Sequence, residues 1–179
     1  MTATHEERRT ERELLTGTFR DRESAEQAYD SLTSRGYTKD DINVIMSDDT
    51  RKRHFSQTSV TTDLGNKAAE GGITGATVGG TVGAIAGVLA VAGTLAIPGL
   101  GIVLAGPVAA GLAGLGAGAA TGGLIGALVG AGIPEERAKT YQTDIENGGI
   151  VVGVKPRSAD DATHFEKEWT GYRGENIRR

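Results

Sequence analysis

The chain contains no cysteine, which removes disulfides, thiol nucleophiles and thiolate metal sites together. It has no excess of positive charge either. Its formal net charge is −4, so bulk electrostatics do not favour nucleic acid as a partner. The N-terminal residues 1–13 are rich in Glu and Arg and lack the apolar core of a secretory signal. They are expected to form a solvated, disordered arm. Three histidines, His5, His54 and His164, are scattered without metal-ligand spacing. No Gly-x-x-x-x-Gly-Lys-Ser/Thr is present, and no Gly-x-Gly-x-x-Gly joins a strand to a helix. These absences leave no sign of a cofactor, a metal or an enzyme.

One more absence divides the chain. From Gly71 to Pro134 there is no Asp, Glu, Lys, Arg or His. Gly75, Gly79, Gly83 and Gly87 recur every four residues, as do Gly114, Gly118, Gly122, Gly126 and Gly130. Residues four apart share a helix face, so each run predicts a flat groove for close helix packing. Between the runs, Ile97-Pro98-Gly99-Leu100-Gly101 and then Gly106-Pro107 interrupt any helix. The expectation is a glycine-zipper hairpin of two antiparallel helices turning at Pro98, Gly99, Gly101 and Pro107. Each arm, at 1.5 Å per residue, reaches about 40 Å and spans a ~30 Å hydrocarbon core. Alanine and glycine are weakly hydrophobic, so a lipid-free bundle of hairpins from several subunits is the alternative. Basic residues on both flanks (Arg51, Lys52, Arg53 and Lys67 before, Arg137 and Lys139 after) put both ends on the cytoplasmic side.

The flanking segments have ordinary patterns. Leu14–Phe19 has strand character, and Asp21 or a Ser24–Gln27 capping box opens a helix with Ala25, Ala28, Tyr29 and Leu32 on one stripe. Gly36 stops it, and Ile42–Met46 reads as a second strand. Beyond the insert, Pro134-Glu135-Glu136 starts a helix whose buried stripe is Ala138, Tyr141 and Ile145. Ile150–Val154 is a third strand. Ser158 with Asp161 opens a last helix carrying Ala162, Phe165 and Trp169. The predicted fold class is α+β: a small β-α-β / α-β-α sandwich domain interrupted by a long Gly/Ala-rich antiparallel helical hairpin. Its segments are the arm 1–13, a first half 14–46, a polar tether 47–70, the hairpin 71–134, a second half 135–170 and a loose tail 171–179.

This layout resembles the YflT-type general stress (heat-induced stress) protein family. The resemblance rests on Thr16–Phe19 through Ala25, Leu32, Gly36-Tyr37 and Asp41–Ile45, on Ile97-Pro98-Gly99, on Gly132–Glu136 and on Gly148–Val154. It implies a bacterial, stress-associated, non-enzymatic protein, often assigned to membranes.

Three functional readings follow. The first is a self-associating membrane protein at the cytoplasmic face of the cell membrane, with the lipid bilayer and its own copies as partners. The second is a cytoplasmic, lipid-free assembly or shell built through the hairpins. The third is a module that senses a small ligand, because small β-α-β domains bind metabolites at strand ends. The basic cluster Arg51-Lys52-Arg53-His54-Phe55 suits anionic headgroups in the first reading and a solvated tether in the others. Asp48-Asp49 reads as a polar loop, and Trp169 and Tyr172 as core residues or interfacial anchors.

Overall fold

A computed structural model describes residues 14–55, 85, 95–97, 101–109, 118–130 and 133–179. Strand β1 (Leu15–Phe19) leads into helix α1 (Arg22–Ser34), which opens where Asp21 accepts a hydrogen bond from the Ser24 amide. Burying Ala25, Ala28, Tyr29 and Leu32 holds that helix to the sheet. Strand β2 (Ile42–Ser47) follows and runs directly into a short helix, α2 (Asp48–Phe55). Next come β3 (Leu95–Ile97) and β4 (Ile102–Ala105), then helices α3 (Gly118–Gly130) and α4 (Glu135–Glu146). Strand β5 (Ile150–Val154), helix α5 (Ala159–Gly171, capped by Ser158) and strand β6 (Glu175–Arg178) complete the described chain.

The strands form one six-stranded sheet in the order β3-β4-β2-β5-β1-β6. Every neighbouring pair is antiparallel. Leu15 and Ile42 both sit opposite Val154, so β1 and β2 run parallel to each other with β5 between them. In the same way β5 and β6 flank β1. Two β-α-β units are thus interleaved, each filling the gap the other leaves, in the split β-α-β arrangement.

Strand periodicity divides the side chains between two faces. Leu15, Phe19, Ile42, Val44, Met46, Ile150, Val152 and Val154 face α1 and α5 and pack on Tyr29, Leu32, Phe165 and Trp169. Trp169 is the keystone of this side. Its ring meets Phe19 edge-on at 5.8 Å, its indole N–H donates to Ser31 at 3.2 Å, and a Cβ on Gly17 would lie 3.0 Å from its Cε3. It is therefore core and not an interfacial anchor, while Tyr172 packs at the rim of the same cluster. The opposite face is covered by α3 and α4, where Ile45, Leu104 and Val151 meet Leu124, Leu128, Ala138, Tyr141 and Ile145.

The fold-class expectation needs correction at its centre. No long Gly/Ala-rich helical hairpin forms among the described residues. Leu95–Ile97 and Ile102–Ala105 are strands instead, paired Leu95↔Leu104 through Ile97↔Ile102. β4 continues the main sheet against β2, Val44↔Ala105 through Ser47↔Ile102. The physical reason lies in β2. Without β4 its outer edge would expose unpaired amides and carbonyls, and the β-branched Ile97, Ile102 and Val103 suit a pleated surface better than a helix. Strands, not helices, flank the expected interruption. Gly101 has φ +60°. Gly106 has φ +100°, and a Cβ there would lie 2.1 Å from the Ile42 carbonyl oxygen. Pro107 follows it and opens a helical turn whose Val108 amide donates to the buried Asn43 side chain at 2.8 Å. Pro98 and Gly99 lie outside the described residues.

The zipper glycines fall partly inside the described residues. Gly75, Gly79, Gly83, Gly87 and Gly114 lie outside the described residues, while Gly118, Gly122, Gly126 and Gly130 fall in α3. That helix is broken at Gly123, where φ is 58° and ψ −160°. Gly126 and Gly130 are exposed, and a Cβ on either would meet nothing within 4 Å. Among the described residues no helix is long and apolar enough to cross a membrane. The bilayer partner, the transmembrane helix and the cell-membrane location, all drawn from the hairpin, are therefore withdrawn.

Candidate ligand cleft between α4 and β6

The face covered by α4 is apolar over β2 and β4 but polar over β1 and β6. This follows from the sequence of β1, where Leu15, Gly17 and Phe19 turn one way and Thr16 and Thr18 turn the other. α4 answers them with Arg137, Tyr141 and Asp144, spaced i, i+4, i+7 on one side of the helix. Thr16 Oγ1 and the Tyr141 hydroxyl share a short hydrogen bond. Thr18 donates to Asp144 Oδ2 at 3.0 Å, and Asn176 Nδ2 donates to the same oxygen at 2.8 Å. Arg20 reaches Asp144 Oδ1 at 3.0 Å and Glu175 through its Nε at 2.9 Å. The hydrogen bond with Glu175, helped by Asp144, strengthens the hold of Arg20 on its proton against the opposing effect of burial. Asp144 is thus buried but fully answered, as a charge in the interior has to be.

Arg137 occupies the other end of this polar seam. Its Nη2 lies 3.2 Å from Thr16 Oγ1, 3.3 Å from the Arg178 carbonyl oxygen and 3.4 Å from that of Leu14. Its Nη1 donates to the Arg179 carbonyl. Arg137 Nε is buried and has no hydrogen-bond partner. An orphaned donor of this kind in a folded protein calls for an explanation.

Above this seam is a cleft of about 210 Å³ lined by Glu136, Arg137, Thr140, Tyr141, Asn176 and Arg178. Two guanidinium groups and one carboxylate converge on it. The β6 wall is held from behind by Arg179, which grips Glu166 of α5 through Nε at 2.7 Å and Nη2 at 2.9 Å. The strand also carries a register shift against β1, with Asn176 at φ +51°. The bulge turns the Asn176 side chain to Asp144 and the cleft.

The residues singled out in the sequence lie elsewhere. Asp48 is ion-paired with Arg51 and Lys52, and these hydrogen bonds, led by Lys52, hold its carboxyl below the usual range. The basic cluster 51–55 forms the end of α2, with Phe55 buried beneath the Arg22 guanidinium at 5.1 Å. His164 lies 3.2 Å from Glu168, and the His54 carbonyl accepts from Arg22. His5 lies outside the described residues. Among the described residues no cluster of His, Cys, Asp or Glu has the geometry of a metal site. Of the cleft residues, the sequence pointed to Tyr141 as core, Glu136 as a helix start and Arg137 as a charged flank. Asn176 and Arg178 came from a stretch read as a tail. The one available signal was Asp144, an acid three residues after Tyr141 and directly before Ile145 on the buried stripe.

Comparison with known protein families, with curated proteins and with solved structures finds no match. The resemblance to YflT-type general stress proteins is therefore not upheld. The stress-response, membrane-associated and zipper-assembled reading drawn from it and from the hairpin is set aside with it.

Proposed function

We propose that this α+β domain is a non-enzymatic binding module that takes a small polar metabolite in the cleft between α4 and β6. The observation that carries the reading is convergence. Residues of α4 and β6 meet around one concavity, and a buried guanidinium nitrogen beside it lacks a partner. Ligand sites are concave and combine packed walls with a few fixed polar groups. Tyr141 supplies a wall fixed to the sheet through its hydrogen bond with Thr16, and Asn176 and Arg178 supply contacts from an edge strand. This places the ligand beside the helix-covered edge of the sheet, not at the strand ends where simple β-α-β modules bind.

The test is a thermal-shift and calorimetric screen of the full chain against polar metabolites, repeated on Thr140→Trp, which fills the cleft mouth from an exposed position. A ligand that raises Tm in the parent protein and loses at least 10-fold in affinity with Thr140→Trp supports the site. Binding that is indifferent to Thr140→Trp, or no binding across the panel, removes it.

A further inference from the structure

We infer that the cleft selects a small zwitterion of the free α-amino-acid class, its carboxylate held by Arg178 beside the fixed charge of Arg137 and its ammonium by Glu136; this rests on the cleft being a binding site. The charges lining the cleft are opposite in sign and carried by different elements. Arg137 and Glu136 are neighbours on α4, and Arg178 comes from β6. The side chains of Glu136 and Arg178 make no hydrogen bond or ion pair within the described chain, so both are available to a ligand. Arg137 is committed through its two terminal nitrogens to oxygens of Thr16, Leu14, Arg178 and Arg179, and its Nε is buried. A guanidinium held in this way is a fixed positive charge beside the cleft that attracts a carboxylate without bonding it directly.

Charge complementarity then excludes the simpler ligands. A purely anionic guest would bring its charge against Glu136, and a purely cationic one would face two guanidinium groups. Juxtaposed like charges discriminate strongly in a partly enclosed site. A guest with one charge of each sign satisfies all three residues at once. Size agrees. The cleft of about 210 Å³ has room for several waters, which suits a guest the size of an amino acid.

The experiment uses the full chain with four matched probes: L-alanine, propionate, propylamine and inorganic phosphate, followed by the remaining L-amino acids singly. L-Amino acids should bind, with propionate and propylamine at least 10-fold weaker. Arg178→Gln should weaken amino-acid binding about 10-fold without changing the unliganded Tm by more than a degree or two. Glu136→Gln should close the gap between alanine and propionate, because the repulsive carboxylate is gone. Propionate or phosphate binding as tightly as the amino acids, with sensitivity to Arg178→Gln, overturns the zwitterion assignment and keeps the site. Binding that neither Arg178→Gln nor Glu136→Gln alters overturns both.

Discussion

Asp144 shows at the scale of one residue how this fold tolerates a polar interior. Its carboxylate is buried at the foot of α4, yet it accepts from Thr18, Asn176 and Arg20, which come from β1, β6 and the turn after β1. Three segments far apart in sequence are thereby tied to one helix. Removing the carboxylate strands the buried Thr18 hydroxyl, the half-buried Asn176 amide and a guanidinium. Asp144→Ala is expected to cost about 2–4 kcal/mol, since breaking a buried pair leaves its partners uncompensated. Denaturant unfolding measures this, and a loss below about 1 kcal/mol means the network is solvated and not structural. The glycine at position 149 belongs to the same story, because its amide donates to the Asp144 carbonyl at 2.8 Å and a Cβ would sit 2.7 Å from that oxygen. The tight turn out of α4 therefore has room only for glycine.

At the scale of elements, the informative piece is the β3–β4 hairpin. Its residues, Leu95-Ala96-Ile97 and Ile102-Val103-Leu104-Ala105, are short apolar runs on either side of a glycine-rich turn. Such runs fit a buried helix or a buried strand equally well by periodicity. Four-residue glycine spacing upstream and downstream tips the reading towards helix, and it misleads. Sheet pairing decides the matter, because β2 has a free edge and Leu104 fills the space between Ile45 and α3. Leu104 is 0% exposed. Leu104→Ala is accordingly expected to cost about 2–5 kcal/mol. A urea midpoint unchanged by this substitution places the hairpin off the sheet. The opposite edge tells a similar story of local ambiguity. β6 is only four residues long and carries Glu, Asn and Arg, so nothing in its composition announces a strand. Its formation depends on β1 offering a free edge and on Arg179 and Arg137 fixing its end.

For the molecule as a whole, buried and capping carboxylates make stability depend on pH in opposite directions. Asp21 is held below the usual range first by the Ser24 amide, Asp41 first by the Thr38 amide and Asp161 first by the Tyr37 hydroxyl. Each has a folded pKa below its unfolded value of about 3.9. Their contribution to stability is present above that value and is lost as pH falls through the lower folded values. Glu26 runs the other way. Burial raises it, against the opposing effects of the Ile85 amide at 3.0 Å and of Arg22. Folding therefore favours its protonated form, and stability is lost as pH rises from about 4.3 through the folded value. Glu26→Gln keeps the acceptor for the Ile85 amide and removes the buried charge. It is expected to raise Tm at pH 7, with the gain vanishing below about pH 4, where the unfolded carboxyl is protonated as well. A Tm difference that stays constant from pH 3.5 to 7.5 contradicts the assignment.

The chain by itself determined those elements whose pattern is local. Asp21 and Ser158 cap α1 and α5, the stripes Ala25-Ala28-Tyr29-Leu32 and Ala162-Phe165-Trp169 face the sheet, and Ile150–Val154 is a buried strand. These depend on capping hydrogen bonds and side-chain periodicity, which act over a turn or two of chain. Only the tertiary structure decided that β5 separates β1 from β2, that the apolar insert supplies strands to the sheet, and that Arg137, Tyr141, Asn176 and Arg178 share one cleft. Strand order and edge pairing are set by which free edges and apolar faces find each other across more than a hundred residues. No local spacing records that choice, and the cleft exists because of it.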